Sequence, residues 1–216
     1  MVAHIEGGEV SGTIDELIRH SVSKLSHIHL VSNEVAGKRL IQMGELESSI
    51  YIIGSPDLDL MNPASLPALD FVKNYYEIPF DDYAIVMYHP VTTEYDSIQE
   101  HITTFVDVLL NSEKNYIVIY PNNDVGTKEI LSAYKRLDNN DHFKIFPSLR
   151  FEYFLRLLKE SDFIIGNSSA GVREAPYYNI PTIDVGSRQD NRSQATTIKR
   201  VSHSFDAIMS AIKNCE

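Results

Sequence analysis

Short apolar runs alternate with helix-like stretches along the whole chain, and that rhythm restricts the fold more than any other feature. Val2–Ile5, Ile28–Ser32, Ile50–Ile53, Tyr83–Tyr88, Tyr116–Tyr120, Phe143–Phe146, Asp162–Ile165 and Thr182–Val185 read as strands. Most are bounded by Gly, Pro or polar residues, as strands buried on both faces are. Between them lie helical patterns. Ile14, Leu17, Ile18, Val22 and Leu25 fall on one helical face, and Thr13 with Glu16 reads as a capping box at its start. Further helices are expected near 34–43, 94–111, 127–137, 151–160, 170–178 and 204–214. A β-α-β-α order predicts an α/β fold of parallel sheets joined by right-handed crossovers.

A break falls near residues 54–67, where three of the chain's nine prolines sit, and reads as a linker. Five strands follow it, enough for a complete doubly wound domain. Only three strands and two helices precede it, too few helices to cover both faces of a parallel sheet. The chain also enters a buried-looking strand at its second residue. The first lobe therefore reads as truncated, to be completed by upstream residues or by another chain. A net charge of −11 argues against non-specific nucleic-acid binding. It leaves an anionic small ligand open, because local cations decide that. No run approaches membrane-spanning length and no secretory signal is read. The single cysteine, Cys215, fits a reducing, cytoplasmic compartment. The eight histidines are scattered, with no metal-ligand spacing, so no metal is expected.

Five polar motifs each follow a strand, at the sheet edge where open α/β folds bind ligands. In the first, His4-Ile-Glu-Gly-Gly-Glu9 runs on to Asp15. Carboxylates sharing a pocket push their pKa values apart and so supply an acid and a base; Asp15 alone reads as readily as a helix-dipole partner. Tyr88-His-Pro-Val-Thr-Thr-Glu94 places His89 after a strand stopped by Pro90, where it could steady a phosphate or trade a proton near neutral pH. Tyr120-Pro-Asn-Asn-Asp-Val-Gly126 offers Asn122, for which a helix cap is the plainer reading. Gly186-Ser-Arg-Gln-Asp-Asn-Arg192 offers Arg188 and Arg192 to a diphosphate, or is simply a solvated loop. Most telling is Gly166-Asn-Ser-Ser-Ala-Gly-Val-Arg-Glu174. Two hydroxyls and the N–H groups of a helix start would cradle an anion. Glu174, a turn further on, suits a neutral diol such as a ribose. A serine-capped turn reads equally well here.

The residues His4-Ile-Glu-Gly-Gly-Glu-Val-Ser-Gly-Thr-Ile-Asp15, His89-Pro-Val-Thr-Thr93, Pro121-Asn122, Gly166-Asn-Ser-Ser169, Gly171-Val-Arg-Glu174 and Gly186 with Arg188-Gln189 resemble, in the same order, the hydrolysing UDP-N-acetylglucosamine 2-epimerases of the sialic- and legionaminic-acid pathways. The resemblance implies a glycosyltransferase-B-like α/β fold with the substrate between two Rossmann-like lobes. Residues 1–60 would be a remnant of the N-terminal lobe and 61–203 the UDP-binding lobe, with 204–216 a closing helix that crosses back. It implies Glu6 and Asp15 as catalytic carboxylates and His89 as both a catalytic and a UDP-contacting residue. Asn122, Ser168, Ser169, Glu174 and Arg188 would also contact UDP, with the backbone near Leu149 beside the uracil. It implies no metal or redox cofactor, a UDP-sugar substrate, a homo-oligomer and a cytoplasmic location. A non-hydrolysing epimerase, an epimerase of UDP-2,4-diacetamido-trideoxyglucose, and a nucleotide-binding remnant without turnover are the other readings.

Overall fold

The structure, a computed structural model, describes residues 1–10, 14–190, 193 and 195–215. Thr13, and with it the expected capping box, and Arg192 lie outside these. The chain divides into two compact units, Met1–Ser65 and Leu66–Glu216.

The first unit runs β1 (Ala3–Ile5), α1 (Ile14–Lys24), β2 (Ile28–Val31), α2 (Glu34–Gln42), β3 (Ile50–Ile52) and α3 (Asp57–Leu60). Its strands are parallel in the order β1-β2-β3. Asn33 caps α2, its Oδ1 accepting from the Ala36 N–H at 2.9 Å. The apolar core is small: Val31, Ala36 and Leu40, with Met43 and Ile50 against them. The helical period of residues 14–25 is real, but it faces the other way from a core stripe. Leu17, Ile18, Val22 and Leu25 are exposed, Leu25 at 76%. The polar face turns inward instead: Glu16, Arg19 and His20 are half-buried and Ser23 is fully buried. Arg19 donates to the Glu9 carbonyl at 3.0 Å, and the Ser23 hydroxyl lies 3.0 Å from His4 Nδ1. A hydrophobic period fixes which residues share a face, not what that face meets.

The second unit runs α4 (Leu69–Tyr75), β4 (Ala84–Met87), α5 (Ile98–Asn111), β5 (Tyr116–Ile119), α6 (Thr127–Tyr134), β6 (Phe143–Phe146), α7 (Phe151–Lys159), β7 (Ile164–Gly166), α8 (Glu174–Tyr177), β8 (Thr182–Val185), β9 (Ile198–Val201) and α9 (Phe205–Lys213). Six parallel strands lie in the order β6-β5-β4-β7-β8-β9. Counted from β4, this is the 3-2-1-4-5-6 order of a Rossmann domain. Alternate residues divide the two faces. Val86, Val118, Ile165 and Ile183 pack with Phe105 of α5, Ile130 of α6 and Ile208 of α9 in one core. Tyr83, Ile85 and Ile117 point the other way, and the Tyr83 hydroxyl donates to the Leu157 carbonyl of α7 at 2.9 Å.

Two short helical pieces, α3 and a 3-10 turn at Pro63–Ser65, occupy the stretch read as a linker. The strand β9, unread in the sequence, completes the sheet. Its Lys199 and Arg200 are exposed on an edge, and such charges hide an edge strand from a hydrophobic reading. The helix expected to cross back, α9, buries Ile208, Ala211 and Ile212 within this second unit, against α5, β8 and β9. Among the described residues no helix is long and apolar enough to cross a membrane.

Candidate functional site

The sheet of the second unit reverses direction between β4 and β7, and the loops leaving those two strands carry the site. Gly166, the last residue of β7, holds φ at +139°, and a Cβ there would collide with the Met87 carbonyl at the end of β4. Only glycine lets the two strand ends lie this close. The next residue, Asn167, is 1% exposed and ties three loops together. Its Oδ1 accepts from the His89 N–H at 2.6 Å, and its Nδ2 donates to the His89 carbonyl at 2.9 Å. Its own carbonyl accepts from Gln189 Nε2 at 2.7 Å and from Arg188 Nη1 at 3.2 Å. His89, Asn167 and the Arg188-Gln189 pair are thereby fixed at the carboxyl edge, where open α/β sheets bind ligands.

His89 is 4% exposed. Its Nδ1 accepts from the Asn122 backbone N–H at 3.1 Å. Burial, and then the Arg188 charge, lower its pKa to about 4. The ring is therefore neutral at pH 7, with its proton on Nε2. Of the two expectations for His89, this suits the steadying of a phosphate: the ring can donate a hydrogen bond without carrying charge. Asn122 takes part through its backbone, while its side chain is exposed. Leu149 is half-buried in the loop between β6 and α7.

The serine loop is tighter than expected. In place of a helix over 170–178 there is a 3-10 turn, Ser169–Gly171, followed by the four-residue α8. The Ser168 hydroxyl caps that turn, accepting from Ala170 N–H at 3.3 Å. The Gly171 N–H is spent on the Ser168 carbonyl, and those of Val172 and Arg173 on the Ser169 carbonyl. The helix-start cradle is thus largely closed by the turn itself. Beside this turn, the polar groups an anion would meet include the two hydroxyls, the Arg188 guanidinium, which also holds the Asn167 carbonyl, and the His89 Nε2–H. Glu174 opens α8 instead of lying a turn inside a longer helix, and it is 9% exposed.

At the carboxyl edge of the first unit, Glu6 follows β1 with φ at +58°, a conformation few non-glycine residues hold. Its N–H donates to the Leu30 carbonyl at 2.8 Å, and its Oε1 accepts from Ser55 Oγ at 2.5 Å. Gly8, also at positive φ, packs against the Ala36 carbonyl, closing this turn on α2. Glu9 is engaged by Ser32 and by Asn33 Nδ2 at 2.9 Å. Asp15 lies exposed in the first turn of α1. Reading the sequence missed Ser55, which grips Glu6 across a separation of 49 residues. It gave no role to Gln189, a residue of the matching motif that is fully buried in a loop read either as a diphosphate contact or as solvated. For Gln189 the signal was its place beside Arg188 after a buried strand.

The six-stranded order and the polar loops at its reversal define a nucleotide-binding type of α/β domain. Over residues 1–216 the sequence matches the family model described as UDP-N-acetylglucosamine 2-epimerase. The chain belongs to the UDP-N-acetylglucosamine 2-epimerase family. It is 54% identical over 215 residues to the UDP-N-acetylglucosamine 2-epimerase of Neisseria meningitidis serogroup B, covering 98% of this chain and 57% of that protein. To the UDP-N,N'-diacetylbacillosamine 2-epimerase (hydrolyzing) of Legionella pneumophila it is 35% identical over 213 residues, covering 98% and 56%. The chain thus spans little more than half the length of these relatives. Among solved structures, UDP-GlcNAc 2-epimerase from Methanocaldococcus jannaschii superposes with a TM-score of 0.72 at 20% identity, covering 98% of this chain and 62% of that one. A solved UDP-GlcNAc 2-epimerase from Neisseria meningitidis, bound to UDP-GlcNAc, gives 0.71 at 14% identity, covering 98% and 60%. At such identities the likeness is one of fold, the glycosyltransferase-B type of parallel α/β architecture.

Proposed function

We propose that this chain carries the UDP-binding unit and a catalytic carboxylate edge of a hydrolysing UDP-N-acetylglucosamine 2-epimerase. The reaction converts UDP-GlcNAc and water to N-acetylmannosamine and UDP. The observation that supports it best is the neutral, clamped imidazole of His89 beside Arg188 at the strand reversal. That pair suits a diphosphate leaving group: one fixed cation, and one uncharged donor whose strength does not change with pH near neutrality.

In the first step the C1–O bond breaks and UDP departs with the electron pair. A carboxylate, Glu6 or Asp15, takes the C2 proton, and C1=C2 forms as a 2-acetamidoglycal. The C2–H becomes acidic only as C1 gains positive character, so leaving-group stabilisation matters as much as the base. In the second step water adds hydroxide to C1 and a proton returns to C2 on the opposite face. Ser168, Ser169, Arg188 and His89 hold the diphosphate. Glu174 accepts from the ribose hydroxyls, with the backbone near Leu149 beside the base. None of these steps draws on a metal or redox cofactor. The hydrolysing reading is supported by the Gly7-Gly-Glu-Val-Ser-Gly12 stretch and by the name of the Legionella relative.

A second reading, action on a UDP-2,4-diacetamido-trideoxy sugar, is favoured by that same relative and by a similarly named one from Campylobacter jejuni at 34% identity. The test is to incubate the protein, in its full-length form, with each sugar nucleotide and follow the products by NMR. Free UDP with N-acetylmannosamine is the expected outcome. UDP-N-acetylmannosamine without free UDP would refute hydrolysis, and turnover of the diacetamido sugar alone would shift the substrate. UDP binding by calorimetry with no product from either sugar would refute turnover. Glu6→Gln is expected to cut turnover by at least a hundredfold with UDP affinity unchanged. Full activity would remove Glu6 from the mechanism.

A further inference from the structure

Away from the His89 clamp, the second unit gathers three side chains that nothing above employs. Glu94 lies on the 3-10 segment Thr92–Ser97, His101 on the first turns of α5, and His203 between β9 and α9. One ligand atom from each lies within 4.8 Å of the other two. Glu94 Oε2 stands 3.8 Å from His101 Nδ1 and 3.9 Å from His203 Nε2. All three border an open depression of about 550 Å³. The geometry points to a divalent transition-metal site, with Zn²⁺ as its best-suited ion, built from Glu94, His101 and His203 and leaving one position for water or an exogenous ligand.

Four features carry this. Two imidazoles and one carboxylate are a zinc donor set, whereas calcium and magnesium call for oxygen alone. The two edges that run from Glu94 are a few tenths of an ångström wider than the ~3.4 Å edges of a zinc tetrahedron, and the third, between the two imidazoles, is within 4.8 Å. His203 Nε2 is buried and makes no hydrogen bond among the described residues. The outer contacts are those a metal site uses to orient its ligands. The Tyr88 hydroxyl lies 3.5 Å from His203 Nδ1, which leaves Nε2 as the ligating atom, and Ser187 Oγ donates to Glu94 Oε1.

One rearrangement is required. The His101 and His203 rings stack with centroids 3.6 Å apart and planes within 7°. No ion can lie in both planes at once, so His101 must turn. It is the more exposed of the two, 23% against 11% for the side chain, and so is free to do so. The ion would pin the segment after β4, the loop after β8 and the turn before α9 to one another. The inference does not depend on the epimerase reading, since its readouts are binding and spectra.

The test uses the untagged protein, stripped with chelator. Zn²⁺ is titrated in competition with a chromophoric chelator, and Co²⁺ in parallel by visible absorption. The expected result is one equivalent per chain with the intense bands of four-coordinate Co²⁺. Glu94→Gln and His101→Asn, at part-exposed positions that leave the fold intact by circular dichroism, should each weaken binding at least tenfold. His142→Asn, at an exposed histidine elsewhere, should not. Absence of a stoichiometric site in the wild type, or equal affinity in the Glu94 and His101 variants, would overturn the proposal.

Discussion

At the scale of single residues, Asn167 holds the site together more than any group named for chemistry. Its amide satisfies both backbone groups of a residue that is 4% exposed, at 2.6 and 2.9 Å. Alanine there would leave the His89 N–H and C=O buried without partners, each costing ~1–3 kcal/mol. Asn167→Ala is therefore expected to lose about 3 kcal/mol in urea unfolding and to weaken UDP binding, because His89 loses its anchor, while Arg188 keeps its hydrogen bond to the backbone carbonyl of residue 167. A loss below about 0.5 kcal/mol would refute the clamp. This residue was visible in the sequence only as part of a motif. The Gly-Asn-Ser-Ser run marked a turn at a strand end, and the hydroxyls drew the eye. That the asparagine faces the His89 backbone is a consequence of β4 and β7 being neighbours, and strand order is not written in any local window.

At the scale of elements, the central strands of the second unit were legible because three of them, β4, β5 and β7, are apolar on both faces. Periodicity cannot misplace such a strand, since either face is core. The charged edge strand β9 and the helix α4, next to the prolines, were not legible for the opposite reason. The most instructive helix is α1. Its stripe was read correctly as one helical face, but the sequence did not say what that face meets: Leu25 is 76% exposed and Ser23 is the buried residue. Leu25→Gln should thus change stability by less than about 0.5 kcal/mol, while a core leucine replaced likewise would cost ~2–5 kcal/mol. A large loss by thermal or urea unfolding would show that the stripe is covered. Gly166→Ala tests the junction of β4 and β7 in the other direction. The Cβ would meet a backbone carbonyl at a φ that L-residues avoid, so neither neighbour can yield cheaply. Loss of folded protein, or destabilisation beyond about 3 kcal/mol, is the expected result, and near-normal stability would disprove the close approach.

At the scale of the whole molecule, two buried groups set opposing pH dependences. His89 titrates at about 4 in the fold, held down by burial and by Arg188, against 6.5 when unfolded. The unfolded chain binds that proton more readily, so His89 removes stability as pH falls from 6.5 to 4, by about 3 kcal/mol in full. Asp184 on β8 is 1% exposed, and its carboxyl is pushed up to about 6 by burial, with Arg200 opposing and Asp190 adding to the rise. A raised carboxyl acts the other way. Its stabilising contribution is fully present below pH 3.8 and is lost as pH rises to 6, again by about 3 kcal/mol. The Arg200 guanidinium stands 3.5 Å away, too far to hydrogen-bond, which is why the ion pair does not reverse the burial cost. Between pH 4 and 6 the two effects nearly cancel, and the wild type should show a flat stability profile from these two groups. Asp184→Asn deletes one arm. It should be more stable than wild type at pH 7, equal to it near pH 3.8, and should lose stability steeply between pH 6.5 and 4, where His89 acts alone. Urea unfolding at half-unit pH steps measures this directly. An Asp184→Asn profile parallel to that of the wild type would show that the Asp184 carboxyl is ionised in the fold at its ordinary pKa.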